Sequence, residues 1–83
     1  MYEIIFSDRA KKQLKELEKH IQERIIKALE RIRQRPEAFA TKLVGEPSYK
    51  FRIGDYRIIM DVDRGKLIIL VIKVWHRKNI YER

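Results

Sequence analysis

Alternation of apolar and polar side chains is clearest between Tyr49 and Met60. Tyr49, Phe51 and Ile53 alternate with Lys50 and Arg52, and after Gly54-Asp55 the order resumes with Tyr56, Ile58 and Met60. A period of two marks a strand with one buried face, and glycine supplies the positive φ that a two-residue turn requires. A hairpin is predicted, in which Ile53 pairs with Tyr56, Arg52 with Arg57, Phe51 with Ile58, Lys50 with Ile59 and Tyr49 with Met60. One face then holds the six apolar residues and must meet a core. The other brings Lys50, Arg52 and Arg57 together, although like charges directly opposite one another destabilise a sheet by roughly a few tenths to 1 kcal/mol. Such a cluster suits an anion better than it suits stability. Long basic side chains spreading into solvent are the plainer account of the same face.

Elsewhere the pattern changes period. Tyr2-Glu3-Ile4-Ile5-Phe6 reads as a short strand, and Ser7-Asp8 offers an N-cap hydroxyl and a first-turn carboxylate for a following helix. Ala10, Leu14, Leu17, Ile21, Ile25, Ala28, Leu29 and Ile32 then fall mostly at steps of three or four, which is one helical stripe. A single helix from Asp8 to Gln34 would be about 40 Å long at roughly 1.5 Å per residue, too long for a domain of this size. A break is expected near Lys19-His20, giving two antiparallel helices that end at Arg35-Pro36. Residues 36–48 read as a long connection anchored in the core by Phe39, Leu43 and Val44. Asp63-Arg64-Gly65-Lys66 reads as a second turn. The run Leu67 to Ile72 lacks alternation, which predicts a central strand buried on both faces. Trp75 and Tyr56 are assigned to the core, and His20 to a turn or the surface.

Composition narrows the function. With 83 residues the chain is expected to form one domain over 1–83, near the lower end of sizes that bury a sufficient core. Twenty Lys and Arg against 12 Asp and Glu give a net charge of +8, divided evenly along the chain, which favours polyanionic partners. There is no cysteine, hence no thiolate nucleophile, disulfide or Cys-based zinc site. Neither a convincing His/carboxylate cluster nor a glycine-rich phosphate loop is present, so no metal and no cofactor is implied. No apolar run approaches the roughly 20 residues of a membrane span, and the N-terminus has no signal-peptide pattern. A cytoplasmic protein without membrane attachment is expected.

The order strand, helical hairpin, proline-containing loop, Tyr49-Lys50-Phe51-Arg52-Ile53-Gly54-Asp55-Tyr56-Arg57-Ile58-Ile59, and a terminal His76-Arg77-Lys78-Asn79-Ile80-Tyr81 resembles the RelE/ParE family of toxins from type II toxin–antitoxin pairs. The resemblance covers essentially the whole chain and rests most on Gly54-Asp55-Tyr56-Arg57 and on His76-Arg77 with Tyr81. It implies a small α+β fold: an N-terminal strand, a helical hairpin, then an antiparallel sheet curled around the helices. Two branches share that fold. RelE-like toxins cut mRNA in the ribosomal A site and so inhibit translation, whereas ParE-like toxins inhibit DNA gyrase without nuclease activity. The basic and aromatic set that the RelE branch needs is matched by Lys50, Arg52, Arg57, Arg77 and Tyr81, with Lys73, His76 and Lys78 beside Lys50 and Arg52 as further RNA contacts. Partners implied are the ribosome, mRNA and an acidic, RelB-like antitoxin that folds along this surface.

Metal-free RNA cleavage requires a base for the ribose 2′-hydroxyl, stabilisation of charge on the phosphate, and a proton for the leaving 5′-oxygen. Arg52, Arg57 and Arg77 suit the second task, since guanidinium stays charged and binds phosphate oxygens through parallel N–H bonds. Neighbouring cations lower the pKa of both lysine and tyrosine, which makes Lys50 and Tyr81 candidate bases. The resemblance puts Arg77 near the leaving oxygen. It does not put the chemistry on His76, which reads better as a structural residue or a phosphate contact. An inactive basic domain that binds only nucleic acid or an antitoxin is the remaining alternative.

Overall fold

The computed structural model describes residues 1–76, in an α+β arrangement. Strand β1 (Glu3–Phe6) leads into helices α1 (Asp8–Lys15) and α2 (Lys19–Arg31), followed by a helical turn α3 (Pro36–Phe39) and strands β2 (Thr41–Lys42), β3 (Tyr49–Ile53), β4 (Tyr56–Asp63) and β5 (Ile68–His76). The strands form one sheet in the order β1-β5-β4-β3-β2. The strands after the helices pair antiparallel throughout, as expected, and β1 joins them in parallel with β5, which makes the sheet mixed. The helices and the hairpins between β1 and β5 supply the long connection that parallel pairing needs.

A single apolar layer lies between the helices and one side of the sheet. Ala10, Leu14, Ile25, Ala28, Leu29 and Ile32 meet Ile53, Ile58, Met60, Ile69, Val71 and Val74, all buried. The helical stripe is therefore core, as its spacing implies. α1 is capped by Ser7, whose Oγ accepts from Ala10 N at 3.0 Å. The break between the helices lies at Glu16–Glu18, earlier than Lys19-His20. Leu14, Leu17 and Ile21 keep helical spacing across it, so periodicity carries no mark of the break.

Three further expectations are corrected. Residues 36–48 are not all loop: Pro36 starts a helical turn, where its missing N–H has no intrahelical partner to lose, and Thr41–Lys42 pair with β3 as an edge strand. Phe39 and Val44 are not core anchors, being 59% and 100% exposed, and Leu43 is only half-buried. β5 is central but is not buried on both faces, since the described residues cover only one side of the sheet; Leu67 belongs to the turn before it, with φ of 56°. Ile68, Leu70 and Ile72 are half-buried on this account.

Candidate nucleic-acid interface

The β3–β4 hairpin has the register that its alternation predicts, from Tyr49↔Met60 to Ile53↔Tyr56. Gly54 occupies the first central position of the turn at φ 58°, and a Cβ there would come within 2.8 Å of Arg24 Nη2. The backbone conformation requires glycine, whereas the Arg24 guanidinium, at the end of a flexible side chain, can give way. Ile53, Ile58 and Met60 enter the core, which directs Lys50, Arg52 and Arg57 to the side of the sheet opposite α1 and α2. Arg52 and Arg57 are direct cross-strand partners. Among the described residues, no acidic side chain forms an ion pair with Lys50, Arg52 or Arg57.

β5 extends this face by way of an irregularity. From Asp63↔Ile68 to Met60↔Val71 its pairing with β4 is regular, but Ile59 then pairs with Lys73 and Ile72 is left over as the extra residue of a β-bulge. Strict alternation after Ile69 and Val71 would send Lys73 and Trp75 into the core. The bulge reverses the parity, so Val74 is buried at 2% exposure while Lys73 and Trp75 join the open face. Placement of Trp75 in the core is accordingly corrected: it pairs across from Arg57, and Lys73 Nζ stands 4.6 Å from its ring centroid. Tyr56 remains on the helix side, half-buried against the core.

Two side chains, one at the N-cap of α1 and one within it, hold the bulge. Ser7 Oγ donates to the carbonyl of Ile72 at 3.0 Å, and Gln13 Oε1 accepts from the N–H of Val74 at 2.7 Å. β1 ends at Phe6, opposite Val71, and these side chains satisfy backbone groups of β5 that β1 does not reach. Sequence reasoning assigned Ser7 to capping alone and overlooked Gln13. The signal available was Lys73 itself, a charge at a position where simple alternation requires burial.

The open face therefore presents Arg52, Arg57 and Trp75 in one row across three strands, and Lys50, Ile59 and Lys73 in the next. Beyond them Asp61 accepts a 2.8 Å hydrogen bond from the hydroxyl of Ser48, a nearly buried serine. His76 is separated from this set: it pairs opposite Tyr56 on the helix side, ring centroids 4.9 Å apart and edge to face. Arg77, Lys78 and Tyr81 lie outside the described residues. On the other flank of the hairpin, a groove of about 650 Å³ is lined by Arg24, Arg31, Phe39, Phe51, Arg52 and Gly54 among others. Arg64, at the second turn, is occupied at 2.9 Å by Glu37, which holds its guanidinium pKa above the ordinary value, with a lesser contribution from Tyr49.

A sequence model of the ParE toxin of the type II toxin–antitoxin system, parDE, matches residues 4–81. The chain belongs to the RelE/ParE family of toxins. Among solved structures, a chain of the intact Escherichia coli RelBE toxin–antitoxin complex shares 31% identity over 92% of this chain and 96% of its own, with a TM-score of 0.80. A chain of the RelB–RelE complex from Methanococcus jannaschii is 29% identical over 94% and 95%, TM-score 0.74. A toxin–antitoxin complex of Mycobacterium tuberculosis agrees in fold at TM-score 0.84 and 23% identity, covering 92% of this chain and 98% of that one. No curated protein sequence matches.

Proposed function

We propose that this RelE/ParE toxin is a metal-independent, ribosome-dependent endoribonuclease that cleaves mRNA in the A site and so arrests translation in the cytoplasm. The observation that carries the reading is the convergence of Lys50, Arg52 and Arg57 on one sheet face that no described element covers, with no acidic ion-pair partner among the described residues. A cation pair set directly cross-strand costs stability, and a phosphate between the two guanidinium groups offsets that cost. Arg52 and Arg57 stabilise charge on the scissile phosphate, and Lys50 serves as base or as a further phosphate contact. Arg77 and Tyr81 complete the set by the family resemblance, as leaving-group stabiliser and alternative base. So sparse a catalytic set relies on the ribosome to hold the message in line.

The partner that restrains the toxin is an acidic, RelB-like antitoxin. The groove beside the hairpin combines Arg24, Arg31 and Arg52 with Phe39 and Phe51, a surface suited to an acidic amphipathic segment. Inhibition of DNA gyrase is the second reading, favoured by one observation: the family model that matches residues 4–81 is that of ParE. Primer extension on a message translated in a reconstituted system separates the two. New 5′ ends at A-site codons, lost in Arg57→Ala and Arg77→Ala and absent without ribosomes, are expected. The loss should be about 100-fold or more for one charge-stabilising donor. Uncut message together with inhibited supercoiling would move the target to gyrase.

A further inference from the structure

We propose that Trp75 is a nucleobase-stacking platform, holding one base of the message flat against its indole while the neighbouring cations hold the backbone. The inference rests on the RNA reading of this face given above and adds to it a contact that ranks bases by stacking. Trp75 is the chain's only tryptophan, and the bulge at Ile72 sends it away from the core, to which simple alternation would consign it. It stands half-exposed in the same row as Arg52 and Arg57, where a solvated sheet face gains little from so large an aromatic. An aromatic plane flanked by cations is the arrangement by which single strands are held: charge follows the phosphates, and the ring takes a base face whatever its hydrogen-bonding edge.

Lys73 supplies the exchange that binding requires. Its Nζ lies 4.6 Å from the indole centroid, so the ring is covered by a cation that a base can displace. On displacement the ammonium turns to the adjoining phosphate while the base takes the ring. Stacking strength falls from purines to pyrimidines, so the platform should bias the toxin toward codons that put a purine on the ring.

The test uses ribosomes stalled with an empty A site over a message carrying 2′-O-methyl groups there, which blocks the attacking hydroxyl and leaves binding measurable by co-sedimentation. Full-length wild type, Trp75→Phe, Trp75→Ala and Arg57→Ala are titrated on intact messages and on messages with one abasic nucleotide at each A-site position in turn. Trp75→Ala should bind the intact message about ten-fold more weakly or worse, and Trp75→Phe within about three-fold of wild type. At one abasic position wild type should fall to the level of Trp75→Ala, which should lose nothing further. Unchanged binding by Trp75→Ala beside a loss in Arg57→Ala overturns the platform and leaves the RNA reading standing. A Trp75→Ala loss that is equal at every abasic position assigns the ring to a ribosomal surface and also overturns it. Wild type that fails to bind programmed ribosomes overturns both readings. Thermal melting of each variant, with Trp75→Phe as the conservative control, separates a binding loss from misfolding.

Discussion

The two hairpins of the sheet share β4 and are built on opposite plans. In β3–β4 the side chains alternate without interruption, the turn has glycine at its positive-φ position, and all five pairs follow from spacing alone. In β4–β5 the turn has a positive φ at Leu67, a residue ill-suited to it, and the register shifts by one residue at Ile72. The first hairpin is specified locally. The second takes its register from outside, through Ser7 and Gln13 of the α1 region and through the cost of burying Lys73. The face of the toxin needs both, since β3–β4 contributes the arginines and the bulge contributes Trp75 and Lys73.

Val74→Lys tests the second plan most severely. The bulge puts Val74 in the core at 2% exposure, whereas strict alternation would put it on the open face. A buried ammonium there should cost about 3 kcal/mol or more, enough to unfold so small a domain. Lys73→Val, on the open face, should shift the urea midpoint far less while weakening ribosome binding. If Val74→Lys melts like wild type, the parity argument is wrong. Ser7→Ala comes next, because it removes a helix cap and the donor to the Ile72 carbonyl together; about 1–2 kcal/mol is expected from chemical denaturation. Gln13→Ala orphans the N–H of Val74 and should cost about 1 kcal/mol. The double variant should be less than additive if both side chains hold one bulge.

Legibility follows the same division. Helical stripe, β3–β4 register and basic face were readable because each depends on residues a few positions apart. The place of the helix break, the exposure of Phe39 and Val44 and the face of Trp75 depend on what packs against them from distant parts of the chain. Trp75 shows the physics most clearly: an aromatic after a run of apolar residues reads as core, and only the charge at Lys73 argues otherwise. The parallel pairing of β1 with β5 is likewise set by chain crossing, which no local pattern encodes.

The turns give the finest comparison. Gly54→Ala adds a Cβ at φ 58° and 2.8 Å from Arg24 Nη2, so the first hairpin should lose about 1–2 kcal/mol, the arginine giving way more readily than the backbone. Leu67 is the mirror case, since it already bears the left-handed penalty at φ 56°, while its carbonyl accepts from Glu3 N at 2.8 Å and ties the turn to β1. Asparagine tolerates that conformation, and at 44% exposure the leucine gives up only part of its hydrophobic contribution. Leu67→Asn should therefore raise stability, by about 0.5 kcal/mol or slightly more. Leu67→Gly relieves the same strain but widens the unfolded ensemble by about 0.5–1 kcal/mol, so it should gain less. The order Asn, then Gly, then wild type in melting temperature is the expected result. An Asn variant less stable than wild type would mean that the Leu67 side chain contributes more to packing than its exposure implies, and that this turn, like the bulge, is held by contacts outside its own residues.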